Sequence, residues 1–302
     1  MDSSEGILLE SGTNELEIVE FGVADHCLGI NVIKVKEILN VRPVTTIPHT
    51  HASVEGVIDV RGEVIPVIDM ARVLNRHEEN RSETQRKFIL TEFNQMKVIF
   101  HVDYVNRIRR FKWEDIKKPD DMYQGVAART TGVIRTEEEL VLLLDFEHII
   151  AAIHPGSRLQ IGNIQADEDR ERSLKRILIA EDSEFLRSLL KETLQEAGYL
   201  HLDIKTDGKQ ALDHLHACLD KGGDIVDEYQ LIITDIEMPQ MDGHHLTYRI
   251  KNTPSLQALP VIIFSSLITE DLIHKGKKVG ADGQVSKPDI EELVKMVDDT
   301  IL

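Results

Sequence analysis

Leu231-Ile232-Ile233-Thr234-Asp235-Ile236-Glu237-Met238-Pro239-Gln240-Met241-Asp242-Gly243 decides the reading of the C-terminal half. A short apolar, β-branched run suits a buried strand, and here it closes on a carboxylate before a Pro- and Gly-containing turn. The same arrangement recurs on either side. Ile177–Ala180 runs into Glu181-Asp182, Val261–Phe264 into Ser265, and Val285-Ser286 into Lys287-Pro288. Between these runs the apolar spacing becomes helical. Phe185, Leu186, Leu189, Leu190 and Leu194 share one face, with Ser183 placed to cap the start and Gly198 to end the helix. Strands at 176–180, 201–205, 231–235, 261–264 and 283–286 therefore alternate with helices at 184–197, 208–219, 243–252, 269–279 and 289–301. Alternation of this kind predicts an α/β fold with a five-stranded parallel sheet covered on both faces. Such sheets place their chemistry at the carboxyl ends of the strands, where Glu181, Asp182, Asp235, Ser265 and Lys287 all fall.

The chain has 302 residues, enough for two domains, and segment 156–173 is polar, charged and poor in large apolar residues. That segment is expected to be a linker between domains at 13–155 and 174–302. Hydrophobic residues make up 41% and charged residues 29%, the composition of a globular protein. No apolar run reaches the roughly 18–20 residues that a membrane span requires, and the N-terminus lacks a signal-peptide pattern. Cys27 and Cys218 fall in different halves, so no disulfide framework is expected and a reducing cytoplasm fits. Net charge is −18, with 18 basic against 26 acidic residues in 1–155 and 17 against 27 in 156–302. This balance disfavours nucleic acid and anionic lipid as partners. The basic run Arg107-Ile108-Arg109-Arg110-Phe111-Lys112 reads as a solvated strand end or a contact for an acidic partner.

The first half has a different rhythm. Leu16–Phe21 and Cys27–Ile30 flank a turn, as do Val54–Val60 and Val64–Ile68 around Arg61-Gly62-Glu63. Phe88–Phe93, Val98–Val102, Val105–Arg109 and Leu140–Leu144 complete a series of short β runs, which predicts barrels or a sandwich. His49-Thr50-His51 is the nearest approach to a metal motif, but no further ligands stand near it in sequence. No nucleophile–base pair or phosphate loop is legible in this half.

Carboxylates at 181, 182 and 235 with a lysine at 287 suit magnesium-assisted phosphoryl transfer. Hard cations take oxygen ligands, close carboxylates repel one another without a cation, and an ammonium can pair with a phosphoryl group. Residues 174–302 resemble the response-regulator receiver domain, a flavodoxin-like module phosphorylated on aspartate by histidine kinases. The likeness rests on Ile177–Ser183, Ile233–Gly243, Pro260–Ser266 and Gly280–Pro288. It implies that Asp235 is the phospho-acceptor and that Glu181, Asp182, Asp235 and the main-chain carbonyl of Glu237 hold Mg2+. Ser265 would be the switch hydroxyl and Lys287 the phosphoryl-contacting lysine. Two positions depart from the usual pattern. Gln284 stands where receivers often carry an aromatic residue, and Glu237 occupies a position that tunes dephosphorylation.

Residues 13–153 resemble the CheW coupling domain, through Phe21-Gly22-Val23, Leu28-Gly29-Ile30, Val35–Leu39, Ile47–Met70 and Leu142–Asp145. This resemblance implies an all-β domain of two SH3-like β-barrels that bridges methyl-accepting chemoreceptors and the histidine kinase CheA. Val35, Ile38 and Val57 are candidates for an apolar partner groove, or else barrel core. Glu37 and Arg61 are candidates for charged register, with a turn-stabilising role competing for Arg61. The joined pair resembles the CheV-type coupling proteins, which implies an adaptor at membrane-associated receptor arrays with no catalysis beyond its own phosphorylation and dephosphorylation. Phosphorylation of Asp235 would modulate coupling; the alternative is a phosphate sink that drains the kinase. A DNA-binding regulator is not expected, because neither half is basic and the chain ends at Leu302 directly after the last helix.

Overall fold

Strands with two apolar faces need a partner layer on each side, and this requirement organises the first half. A computed structural model describes residues 15–75, 85–93, 96–117, 130–137, 139–153, 171–266, 270–287 and 289–302. The chain folds as two compact units, one spanning Leu16–Arg158 and one containing Leu159–Leu302. Of the expected linker, 156–170 lies outside the described residues, as do positions 13 and 14 of the first domain.

The first unit holds β1 (Glu15–Val23), β2 (His26–Asn31), β3 (Val35–Asn40), β4 (Val54–Val60), β5 (Glu63–Asp69) and helix α1 (Met70–Val73). After these come β6 (Lys87–Phe93), β7 (Met96–Val102), β8 (Tyr104–Lys112), β9 (Ile116–Lys117), β10 (Thr130–Arg135), β11 (Leu140–Leu144) and helix α2 (Phe146–Ile153). They form two sheets, ordered β8-β1-β2-β11-β10-β9 and β3-β6-β7-β5-β4. In the second sheet the chain leaving β3 crosses to the far edge. There Thr45 exchanges both backbone hydrogen bonds with Val57 at 2.9 Å, closing the sheet on itself.

Alternation assigns side chains to three apolar layers. Leu16, Ile18, Cys27, Ile134 and Val141 fill the first sheet, and Leu39, Ile58, Ile65, Val67, Phe88 and Ile99 fill the second. The opposite faces of the same strands supply Val19, Phe21, Leu28, Ile89, Val98 and Phe100 to a shared layer that α2 covers with Phe146, Ile149 and Ile150. Phe146 is central to that layer, with ring centroids 4.9 Å from Phe100, 6.1 Å from Phe93 and 6.4 Å from Phe21. The basic run on β8 is drawn onto its own domain: Arg107 and Arg109 lie 3.1 and 3.3 Å from the buried Glu20, and Arg110 pairs with Glu17.

The second unit is the expected doubly wound sheet. Its strands are β12 (Arg176–Ala180), β13 (His201–Lys205), β14 (Leu231–Thr234), β15 (Val261–Ser265) and β16 (Gly283–Ser286), ordered β13-β12-β14-β15-β16 with every pairing parallel. Helices α3 (Glu184–Glu196) and α8 (Ile290–Ile301) cover one face through Leu190, Leu194, Leu293 and Val297. Helices α4 (Gly208–Leu219), α5 (Ile225–Glu228) and α6 (Gly243–Lys251) cover the other through Ala211, Leu215, Ile225, Leu246 and Ile250. Helix α7 (Glu270–Val279) follows β15. Winding reverses at β12, which pairs with both β13 and β14, so the crevice falls between the ends of β12 and β14.

Phe146→Ala should remove about 3–5 kcal/mol from the first unit, because a ring shared among three aromatic neighbours leaves a cavity that cannot collapse. Chemical denaturation followed by hydrogen exchange should show early unfolding of residues 15–153 with protection of 176–301 unchanged.

Candidate functional site

The site residues sit at the carboxyl ends of the parallel strands or within two residues beyond them. Backbone pairing continues past the strands on both sides of β12, with Asp235 N donating to Ala180 O at 3.0 Å on the β14 side, and Glu181 N donating to Lys205 O of β13 at 3.0 Å. Glu181 and Asp235 are thereby held side by side at the crevice, 1% and 6% exposed. Lys287, 2% exposed, follows β16, and its main-chain N donates to Ser265 O at 3.0 Å. Its Nζ reaches back to Glu181 Oε2 at 2.9 Å and Asp235 Oδ2 at 3.0 Å. Asp235 Oδ1 accepts from Ile236 N at 2.6 Å. Ser265 is fully buried at the end of β15 and paired in register with Ser286.

The acidic nest fits a hard cation. One carboxylate oxygen each from Glu181, Asp182 and Asp235 lies within 4.8 Å of the others, and Asp182 is half-exposed, which gives the nest an open side. Among the described residues this is the one such group; His49 and His51 do not join one. Arg187, in the first turn of α3, steadies the acidic turn by donating to the carbonyls of Glu181 and Asp182 at 3.1 and 2.7 Å. Glu237 is half-buried two residues beyond Asp235, in a loop closed by Gly243 N donating to Ile236 O at 3.0 Å.

Sequence reasoning passed over three contributors. Gly243 is required, since a Cβ there would lie 1.8 Å from Asp235 O. Gly276 in mid-helix α7 makes room for Gln284, whose Nε2 donates to Ile273 O at 2.9 Å while its Oε1 would lie 2.3 Å from a Cβ at 276. A glycine inside a helix is the local signal that could have revealed this. Asp242 caps α6 by accepting from His245 N at 2.8 Å, yet burial pushes its carboxyl up to about 7. The neighbouring His244 is buried and held down at about 4 by desolvation and then by Lys275.

In the first unit, Glu37 and Arg61 meet, with Arg61 Nη2 2.8 Å from Glu37 Oε2. Arg61 also forms a two-residue hairpin with Gly62, at φ +58° and +88°, so its backbone serves the turn as well. Val57 borders a pocket of about 600 Å³ with Ile47, Val54, Pro66, Ile68 and Val98. Val35 packs against the shared apolar layer and Ile38 is 43% exposed, neither lining that pocket. His49 and His51 also line it, and His51 Nδ1 accepts from Ser53 N at 3.2 Å. No helix among the described residues is long and apolar enough to cross a membrane.

Asp242→Asn keeps the helix cap and removes a carboxyl that prefers its proton in the folded state. A folded value near 7 against an ordinary 3.8 means native protein binds more protons between those limits, so this group's contribution to stability falls as pH rises through the window. Urea melts of the variant and the wild type should agree near pH 4, and the variant should gain progressively up to about pH 7.

Family models match both halves: a CheW-like domain over residues 17–154 and a response regulator receiver domain over residues 177–298. The chemotaxis protein CheV3 of Helicobacter pylori is 29% identical over 296 residues, covering 94% of this chain and 94% of its own. CheV1 of the same organism is 26% identical, covering 94% of this chain and 92% of its own. The chemotaxis protein CheW of Treponema pallidum is 27% identical over 46% of this chain and 84% of its own. The chain therefore carries a CheW-like domain followed by a response regulator receiver domain, and over nine-tenths or more of its length it is similar to chemotaxis proteins named CheV.

Proposed function

We propose that this chain is a chemotaxis adaptor that couples methyl-accepting receptors to the histidine kinase CheA, with coupling set by phosphorylation of Asp235. The observation that carries the reading is Lys287 Nζ bridging Glu181 and Asp235 at 2.9 and 3.0 Å inside a buried acidic crevice. An aspartate in that position is poised to attack: one carboxylate oxygen bonds to the phosphorus of a phosphohistidine, the P–N bond breaks, and the histidine nitrogen keeps the electron pair and takes a proton. Glu181, Asp182, Asp235 and the Glu237 carbonyl would hold Mg2+, which when bound offsets charge on the phosphoryl oxygens. Lys287 moves from the carboxylate to a phosphoryl oxygen, and the Ser265 hydroxyl donates to another. Hydrolysis of the acyl phosphate returns Asp235, so the receiver acts on itself alone.

The first unit supplies the coupling surface. Val57 and the pocket it borders take an apolar partner segment, while Ile38 and the exposed Glu37–Arg61 pair set register at the surface; Val35 supports β3 from beneath. Such an adaptor works in the cytoplasm at receptor arrays, needing neither nucleic acid nor membrane insertion. Phosphorylation favours one of two receiver conformations, and a coupling of about 1–3 kcal/mol would change partner affinity roughly five- to 150-fold.

Asp235→Asn should abolish acid-labile phosphorylation by CheA, and in a reconstituted receptor–kinase assay it should remove the phosphorylation-dependent change in kinase activity. Unchanged labelling would move the acceptor elsewhere. Equal kinase activity with both proteins, while wild type consumes phosphate from CheA, would identify a phosphate sink. Val57→Asp should weaken receptor or kinase binding about tenfold or more and leave phosphorylation of Asp235 intact, since a charge in an apolar pocket is costly to bury.

A further inference from the structure

Arg172 stands at the threshold of the receiver, in the 3₁₀ turn Arg172–Leu174 that precedes β12. Its side chain is 12% exposed, and the guanidinium engages two helices at once. Nε and Nη2 donate to the two carboxylate oxygens of Asp298 at 3.0 and 2.5 Å, and Nη1 donates to Ala197 O at 2.9 Å. Tyr199 completes the group. Its hydroxyl donates to Asp298 Oδ1 at 2.6 Å, and its ring lies 5.9 Å from the guanidinium carbon. Ala197 caps the C-terminal end of α3, where the helix dipole favours a cation, and Asp298 lies in the last turns of α8.

The other ends of these two helices arise at the carboxylate crevice. Helix α3 begins directly after Glu181-Asp182-Ser183, with Arg187 of its first turn bonded to both acidic carbonyls. Helix α8 begins three residues after Lys287, capped by Asp289 accepting from Glu292 N at 3.0 Å. With 13 and 12 residues they run about 20 and 18 Å at 1.5 Å per residue. At one end the pair is joined by Lys287 holding Glu181, and at the other by Arg172 holding Ala197 and Asp298.

We infer that the Arg172–Asp298–Tyr199 cluster is a positioning clamp that delivers changes at the Asp235 crevice to the segment entering the receiver. This inference rests on the proposed phosphorylation of Asp235. When Lys287 leaves Glu181 for a phosphoryl oxygen, α8 loses its direct tie to the start of α3 and the two helices shift relative to each other. The clamp bonds both helices and the incoming chain with one planar group, so it converts that shift into a displacement of residues 171–175. Its fork geometry is what a lysine lacks.

The test uses the full chain with Mg2+ and beryllofluoride, a mimic of the acyl phosphate, and reads hydrogen exchange at residues 171–175 alongside kinase activity in the reconstituted assay. Wild type should change its exchange rate there about tenfold on adding beryllofluoride. Arg172→Gln should bind beryllofluoride and accept phosphate at Asp235 as wild type does, but lose both that exchange response and the phosphorylation-dependent change in kinase activity. Arg172→Lys, which keeps charge and stem, should show the same loss and serves if the glutamine variant does not fold. A variant that responds as wild type does overturns the clamp while leaving the proposed function standing. Wild type that binds no beryllofluoride overturns both.

Discussion

A buried ammonium between two buried carboxylates holds the receiver's chemistry in place. Each of these ions would be costly to remove from water alone, and truncating one partner of such a group leaves an uncompensated charge that destabilises by about 3–5 kcal/mol. Lys287 resolves the cost for Glu181 and Asp235 together, at 2.9 and 3.0 Å. The contact joins the carboxyl ends of β12, β14 and β16, three strands of one sheet. Much of the surrounding structure follows from needing that geometry. Gly243 lets α6 start against Asp235 O, Arg187 fixes the turn carrying Glu181 and Asp182, and the Ser265 carbonyl anchors the Lys287 backbone.

The CheW-like domain is built on the opposite economy of charge. Its ordering comes from three apolar layers, and its ion pairs lie mainly at the margins, as with the exposed Arg61–Glu37 contact. Surface pairs of this kind contribute little to stability, so their value lies in presenting a defined pattern to a partner. Glu20 and Asp69 are exceptions: each buried at 1% exposure, Glu20 is held by Arg107 and Arg109 of the neighbouring strand and Asp69 by Arg72. The basic run, which in sequence reads as a solvated strand end or a contact for an acidic partner, thus pairs Arg107, Arg109 and Arg110 with acidic residues of its own domain.

Local signals carried the receiver and distant pairings did not. The strand ending at Asp235 is legible because a parallel strand buried on both faces is a continuous apolar run, and its chemistry must sit at the end. The longer helices of the receiver were legible from their spacing and from Ser183 and Gly198, whereas the four-residue α5 was not. In the first half, β3 and β10 escaped enumeration as strands because they mix buried and exposed positions in short stretches, and α2 escaped because Phe146–Ile153 reads as one more apolar run. Among the site residues, Glu181, Asp182, Asp235, Ser265 and Lys287 were named from strand ends alone, and the crevice brings together the three carboxylates and the lysine. Gly243 and Arg187 were not, because their importance depends on where a carbonyl of another segment falls. Arg172 is the sharpest case. It belongs to a polar stretch that reads as linker, and its partner Asp298 is 126 residues away.

Phosphorylation in such a crevice has a consequence that follows from charge alone. An acyl phosphate adds up to two negative charges beside Glu181 and Asp182, so the cationic groups must redistribute toward the new oxygens. One ammonium cannot stay equally close to Glu181, Asp235 and a phosphoryl group, and any movement of Lys287 is felt at the start of α8 three residues on. The start of α3 has its own attachment, through Arg187 to the acidic turn, and need not follow. A change of charge spread over a few ångströms is thus resolved into unequal forces on two adjacent helices. Packed interiors respond to unequal forces by switching between discrete arrangements, because side chains at native density cannot deform smoothly. Under the proposed phosphorylation of Asp235 the receiver would need no large hinge to signal: two helices sharing one apolar face, with a polar tie at each end, would be sufficient to turn chemistry there into a choice between two packings.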